Sequence, residues 1–143
     1  FEDGEGRGLQ GGNLKPETGN LRGKMDRKED FRKRTKKFAS GIIRLYCALP
    51  KARAEVQVVG RQMLRSGTSV AANYREASRA RSKADFVSKI ECCAQEADET
   101  QLWLELLRDD CGIRSDAVEL LWKESDELIS IFVAMARNAK RNE

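Results

Sequence analysis

Apolar residues recur along much of this chain at alternating intervals of four and three positions, which is the spacing of one face of an α-helix. The first such stripe runs from Phe31 to Leu49 and ends before Pro50, because proline disfavours helical backbone in the residue that precedes it. A second stripe runs from about Ala52 to Ser78. It contains Gly67, which predicts a kink or a close crossing of two helices at that point.

Capping signals delimit two further helices. Ser82 and Asp85 have the spacing of a capping box, in which a hydroxyl and a carboxylate satisfy free backbone N–H groups at the start of a helix. The stripe that follows ends near Gly112, a residue type that is common just after a helix. Ser115 is the predicted cap of a fourth helix, whose stripe runs from Val118 to Ala139. No segment shows sustained alternation of period two, so we predict no β-strands.

Four long helices with short connections predict an all-α fold, and the simplest arrangement is an antiparallel up-down four-helix bundle. We assign residues 26–143 to this domain. The preceding segment shows almost no apolar pattern, and residues 1–24 contain seven of the eleven glycines. Such a segment buries too little surface to offset the entropy cost of ordering it, so we expect residues 1–25 to be a disordered N-terminal extension.

The third and fourth predicted helices carry more apolar residues than one core stripe requires. The additional rows comprise Trp103, Leu106, Trp122, Ile129, Val133 and Ala136. One interpretation is a broad core face within a single bundle. The other is contact between copies of the chain, since a monomer rarely exposes such an apolar patch. We take these six residues as a candidate oligomer interface and expect a homo-oligomer.

Several classes of chemistry find no support in the composition. Histidine, the commonest general base and transition-metal ligand, is absent. Glu91, Asp98 and Glu105 recur every seven residues and share a helix face, but without histidine they do not match a di-iron bundle, and a solvated or salt-bridged face is the simpler interpretation. No phosphate-binding loop or dinucleotide fingerprint occurs. We therefore predict a protein with no catalytic residue, no metal and no cofactor.

The cysteines and the hydropathy indicate an intracellular protein. Cys47, Cys92, Cys93 and Cys111 fit buried apolar positions better than disulfides or metal ligands, because a chain of this size forms a core without cross-links. No stretch approaches the roughly 20 apolar residues of a membrane span, and no apolar run resembles a secretory signal. The cytoplasm is therefore the expected compartment.

The net charge of +4 is unevenly distributed. Met25–Lys37 has seven bases and three acids, Lys51–Lys83 has eight bases and two acids, and residues 84–143 have seven bases and fourteen acids. Clustered lysine and arginine neutralise phosphates and release counterions, which gives sequence-independent affinity for RNA or DNA. The candidate nucleic-acid-binding residues are Arg27, Lys28, Arg32, Lys33, Arg34, Lys36, Lys37, Arg75, Arg79, Arg81 and Lys83.

A second interpretation is that the basic half of the chain pairs with its acidic half, within one bundle or between subunits. For Arg75–Lys83 the two interpretations are equally supported. The basic residues of Arg27–Lys37 outnumber any obvious acidic partners, so for this segment we favour nucleic-acid binding. The aromatic residues of this region, Phe31 and Phe38, lie on the core stripe, so binding should depend on phosphates and shape rather than on base sequence.

The central motif of the chain resembles a known family. Leu64–Ala77 (LRSGTSVAANYREA), followed by Arg79–Phe86 (RARSKADF), is similar to the bacterial four-helix-bundle family linked to intervening sequences in 23S ribosomal RNA genes, also called the S23 ribosomal protein family. Phe38-Ala39, Leu49-Pro50-Lys51 and Glu96–Leu104 support the resemblance. It covers about Phe31 to Ala139, nearly all of the predicted bundle.

The resemblance implies a left-handed four-helix bundle that forms a ring-shaped homopentamer. It also implies kinship with accessory proteins of diversity-generating retroelements, which bind nucleic acid and a reverse transcriptase through a basic surface, and it implies no catalytic residue. We therefore expect a non-catalytic oligomer associated with ribosomal RNA or another structured RNA or DNA. The alternative is an interaction scaffold, for example an accessory subunit of a reverse transcriptase, whose charged halves mediate subunit contacts.

Overall fold

A computed structural model of the chain describes the backbone of residues 16–142 and the side chains of residues 26–142. Four α-helices occupy nearly all of this range: α1 Pro16–Ala48, α2 Ala54–Ser78, α3 Lys83–Asp109 and α4 Asp116–Arg141. The described backbone contains no strand. The prediction of an all-α fold with four helices is confirmed.

The starts of α3 and α4 follow the predicted capping residues. Ser82 Oγ accepts a hydrogen bond from the backbone N–H of Asp85 at 3.0 Å, and Ser115 Oγ accepts one from Val118 at 3.3 Å. Gly112 has a φ of +71°, a conformation that glycine adopts without steric cost, at the point where the chain leaves α3. Local hydrogen bonding therefore fixes where both helices begin.

The start of α1 differs from the prediction. The helix begins at Pro16, so residues 16–25 are helical rather than part of a disordered extension, while residues 1–15 lie outside the described part of the chain. Proline is favourable at the first helical position, and adding turns to an existing helix costs far less than nucleating one. A helix extended in this way needs no apolar stripe, so periodicity did not reveal it.

Close packing of α1 on α2 depends on two glycines. A Cβ atom at Gly67 would lie 2.8 Å from Ile42 Cγ1, and one at Gly60 would lie 2.7 Å from Leu49 Cδ1. Real Cβ atoms do not approach other atoms so closely, so a larger residue at Gly67 would displace the buried Ile42, and one at Gly60 would force the Leu49 side chain to shift. The close crossing predicted at Gly67 is confirmed.

Each helix packs extensively against its neighbour in the chain, whereas α1 and α4 contact each other much less. The apolar core includes the fully buried Met63, Ile90, Leu104 and Phe132. None of the helices in the described range is long and apolar enough to cross a membrane. The helices are therefore closely packed at the α1–α2, α2–α3 and α3–α4 interfaces and loosely packed between α1 and α4.

A buried hydroxyl pair fixes the register of α2 on α3. Ser66 Oγ and Thr100 Oγ1 are both fully buried and lie 2.7 Å apart. Thr100 Oγ1 also donates to the carbonyl oxygen of Glu96 at 2.7 Å. Sliding one helix along the other would break the Ser66–Thr100 hydrogen bond in the buried interior, where water cannot replace it.

Candidate nucleic-acid interface

The two basic runs of the sequence meet at one end of the bundle. The rings of Phe31 and Tyr74 lie with centroids 6.0 Å apart, so the first half of α1 lies beside the end of α2. Burial raises the pKa of the Tyr74 hydroxyl to about 12, and the nearby positive charge of Arg32 opposes this shift. We call this region the basic end and define it as Arg27, Lys28, Arg32, Arg75, Arg79, Arg81 and Lys83.

The charges of the basic end are available to a partner. Five of its side chains are exposed, and those of Arg27 and Arg32 are half-buried. Among residues 26–142, none of the seven takes part in an ion pair. Lys83 Nζ donates to the carbonyl oxygen of Asn142 at 2.8 Å, which places the end of α4 at the same end of the bundle. Positive charge that no carboxylate of residues 26–142 neutralises is thus concentrated at the basic end.

Arg34 has a different role from the other predicted cations. Its guanidinium donates to both carboxylate oxygens of Glu124, at 2.7 and 2.9 Å, and to Glu127 Oε1 at 2.7 Å. The hydrogen bond to Glu124 is the main reason that the pKa of Arg34 is raised. Because these bonds join α1 to α4, we place Arg34 among the contacts that hold the bundle together rather than in the candidate interface.

The remaining candidates on α1 lie along a groove or point to solvent. A groove of about 980 Å³ separates α1 from α4, and Lys33 and Lys37 line it. Lys36 is exposed and does not line the groove. We call this space the α1/α4 groove; its other lining residues include Gly41, Arg44, Leu45, Leu120 and Leu121. The predicted basic surface is therefore divided between the basic end and the groove.

Ion pairs within the bundle use the acidic half of the chain without using the basic end. Arg65 Nη2 lies 3.0 Å from Glu99 Oε1, and Arg34 Nε lies 2.7 Å from Glu124 Oε2. Glu76, the acid that follows Arg75, is held by Lys89 at 2.7 Å. Pairing of the two halves within one bundle therefore occurs, but at residues other than those of the basic end.

The predicted oligomer interface is divided by the structure. Ala136 is only 6% exposed and belongs to the core of its own bundle, because a small side chain at this position faces the interior. Trp103, Trp122 and Ile129 are half-buried and pack on that core. Leu106 is half-buried, and Val133 remains 47% exposed. The surplus apolar rows thus broaden the core in part, and for Ala136 the assignment to a surface is corrected.

Four large apolar side chains outside the predicted interface are also exposed. Leu120 is 66% exposed, Val58 53%, Leu102 46% and Ile43 45%. None of them lies on a predicted core stripe, and their position off the stripes was the signal that could have identified them. Leu120 borders the α1/α4 groove, and Leu102 lies on the outer surface of α3.

The outer surface of α3 carries the carboxylates that recur every seven residues. Glu91 and Asp98 are exposed, and Glu105 Oε2 accepts a hydrogen bond from Trp122 Nε1 at 2.9 Å. We call the surface formed by Glu91, Asp98, Leu102 and Glu105 the acidic ridge. The described residues contain no group of three or more side chains able to hold a metal ion. Glu91 pairs with Lys140 at 2.7 Å and Glu105 is hydrogen-bonded to Trp122, so the ridge is a partly salt-bridged and hydrogen-bonded face.

All four cysteines are free thiols. Cys93 and Cys111 are buried, as predicted, and burial raises the pKa of the Cys93 thiol to about 12, so it stays protonated at neutral pH. Cys92 is half-buried. Cys47 is exposed, contrary to the prediction, because it lies on the solvent side of α1.

Comparison with known proteins agrees with this architecture. Residues 27–134 match the family described as 23S rRNA-intervening sequence protein. A crystal structure of a protein of unknown function from the S23 ribosomal protein family of Bacteroides thetaiotaomicron is 34% identical, with a TM-score of 0.69 over 77% of this chain and 97% of that chain. No curated protein matches the chain. Since the family match extends from α1 to α4, the chain belongs to the 23S rRNA-intervening sequence protein family.

Proposed function

We propose that this protein is a non-catalytic, homo-oligomeric bundle of the cytoplasm that binds structured RNA, ribosomal RNA in particular, through its basic end. The observation that carries this proposal is the meeting of two distant basic runs at one end of the bundle, with no ion pair to any of the seven cations among residues 26–142. Unpaired, mostly exposed cations bind phosphates at little cost in desolvation.

The packing of the basic end favours recognition of shape and phosphates over base sequence. Tyr74 is 3% exposed and Phe31 packs against the core, so neither ring is free to stack on a base. The cations lie on two helices and on the connection that follows α2, which holds them in fixed relative positions. A double-stranded RNA segment presents regularly spaced phosphates that suit such an array.

We also propose that the bundle is antiparallel and up-down, and that it forms the ring-shaped homopentamer that the family resemblance implies. Contacts along the α1–α2 seam support the antiparallel order, because Phe31 meets Tyr74, Ile42 meets Gly67 and Leu49 meets Gly60. Residue numbers thus rise along α1 as they fall along α2. A ring would present several basic ends to one RNA, and binding at several points raises overall affinity.

A second candidate function is an interaction scaffold, for example an accessory subunit of a reverse transcriptase. The α1/α4 groove supports it, because a groove with an apolar floor and a charged rim suits a helix from another polypeptide. If the purified protein ignored RNA at low salt while retaining a protein partner, this second function would replace the first.

The salt dependence of RNA binding tests the proposed function. We expect the protein to bind a fluorescent RNA hairpin, and neutralisation of about five phosphates predicts an affinity loss of roughly 10²–10³-fold between about 50 and 200 mM salt. Fluorescence anisotropy at several salt concentrations gives the slope of log K against log salt. Absence of binding at the lowest salt concentration, or an affinity that salt does not change, would contradict the proposal.

A further inference from the structure

We propose that copies of this protein join head-to-tail, with the acidic ridge of one copy seated in the α1/α4 groove of the next. This inference rests on the homo-oligomer of the proposed function and names the two surfaces that form it. The surfaces lie on different sides of the bundle, since α3 packs against α2 and α4 but not against α1. A contact between two different surfaces is heterologous and closes into a ring when the rotation between copies allows it.

The floor of the groove is apolar and accessible. Gly41, which has no side chain, and the half-buried Leu121 form part of this floor. Leu120, on the α4 side, is 66% exposed, more than any other large apolar side chain of the described residues. Exposed apolar area of this kind is favourable to bury against a second apolar side chain.

The rim of the groove is basic. Lys33, Lys37 and Arg44 line it and are exposed, and among residues 26–142 none of them forms an ion pair. Of the two acids that line the groove, Glu124 is already neutralised by Arg34 at 2.7 Å, which leaves Asp30. The groove therefore fits an apolar knob flanked by carboxylates.

The acidic ridge has this character. Leu102 is 46% exposed at its centre, with Asp98 one turn before it and Glu105 one turn after it. Asp98 is exposed and has no ion pair within the described part of the chain. The hydrogen bond from Trp122 Nε1 holds the Glu105 carboxylate in place.

The spacing of charges on the two surfaces matches. Lys37, Gly41 and Arg44 follow one another at intervals of four and three residues on α1. Asp98, Leu102 and Glu105 follow at the same intervals on α3. At 1.5 Å per residue, both outer charges are about 10 Å apart along their helices. When the two helices run in the same direction, Leu102 lies over Gly41 and each carboxylate faces a cation, as a knob fits a hole between helices.

Mixing two variants tests this arrangement. Leu120→Asp disables the groove and keeps the ridge, whereas Leu102→Asp disables the ridge and keeps the groove. Each variant alone is expected to sediment as a folded monomer of 16.1 kDa. An equimolar mixture is expected to form a dimer of twice that mass, because each variant supplies the surface that the other lacks and growth then stops. Ile43→Asp is the matched control, since Ile43 is 45% exposed on α1 but lines neither surface, and it should keep the wild-type mass.

The outcomes separate this inference from the proposed function. Variants that keep the wild-type mass would show that neither surface is used, and monomers that form no dimer on mixing would show that the contact is not head-to-tail; either result overturns the inference. Lys37→Asp and Asp98→Lys give a second test, because each should weaken assembly and the two combined in one chain should restore it. The monomeric variants should still bind RNA in a salt-dependent way. A monomeric wild-type protein would refute both this inference and the oligomer of the proposed function, whereas RNA binding by the basic end would still be tested by the salt dependence.

Discussion

Reversing the charge of Arg75, Arg79 and Arg81 together, each to glutamate, is expected to lower the affinity for an RNA hairpin by about 10²–10³-fold at roughly 0.1 M salt. All three side chains are exposed and, within the described residues, free of ion pairs, so the change should leave the bundle folded. Loss of three phosphate contacts should also make the slope of log K against log salt less steep by about 2.7. Fluorescence anisotropy measures both quantities.

A matched control separates the position of the charges from the net charge. Lys51, Arg61 and Arg114 are exposed and form no ion pair among residues 26–142, and they lie towards the opposite end of the bundle. Reversing these three changes the net charge by the same amount and should weaken RNA binding only slightly. Equal losses in the two triple variants would mean that overall charge, rather than the basic end, governs binding.

Gly67→Ala is expected to destabilise the fold by about 1–3 kcal/mol, because overpacking outweighs the gain of about 1 kcal/mol in helix propensity. The new methyl group would lie 2.8 Å from Cγ1, 2.9 Å from Cγ2 and 3.2 Å from Cβ of Ile42. Ile42 is fully buried and, as a β-branched residue, has few alternative rotamers. Urea unfolding at a fixed protein concentration measures the change, since assembly adds to the apparent stability.

Gly41→Ala is the control for this prediction. Its methyl group would meet only Leu121, with the closest atom, Cδ2, at 3.0 Å, and that side chain borders the α1/α4 groove and has space to move. Measured in the Leu102→Asp background, where assembly does not contribute to the apparent stability, the free energy of unfolding is expected to stay unchanged or to rise by up to about 1 kcal/mol. A Gly67→Ala protein as stable as the wild type would contradict the close crossing of α1 and α2.

Much of the fold could be predicted because the capping residues and the helical spacing of apolar residues indicate the same helices. Ser82 and Ser115 cap their helices as the motifs indicated. Thr35, Ser66 and Thr100 continue the spacing of four and three residues and are fully buried, so the helical spacing predicts burial even for these polar residues. The start of α1 at Pro16 could not be predicted in this way, because turns added to an existing helix need no apolar period of their own.

The candidate sites were less predictable because they depend on how helices pack. Periodicity reports which face of a helix is apolar, but not how closely two faces meet, so it could not reveal the α1/α4 groove. Nor could it show that Glu124 neutralises Arg34, since that pair joins residues far apart in the chain. Ala136 was assigned to a surface for the same reason, although it is only 6% exposed.

Ultraviolet cross-linking of the wild-type protein to an RNA hairpin, with the linked peptides identified by mass spectrometry, tests the central claim most directly. We predict cross-links in the peptides that span residues 27–32 and 75–83, which form the basic end. Cross-links should be absent from residues 91–105, where the acidic ridge would repel phosphates. Cross-links confined to the α1/α4 groove or the ridge, with none at the basic end, would contradict the claim that RNA binds there.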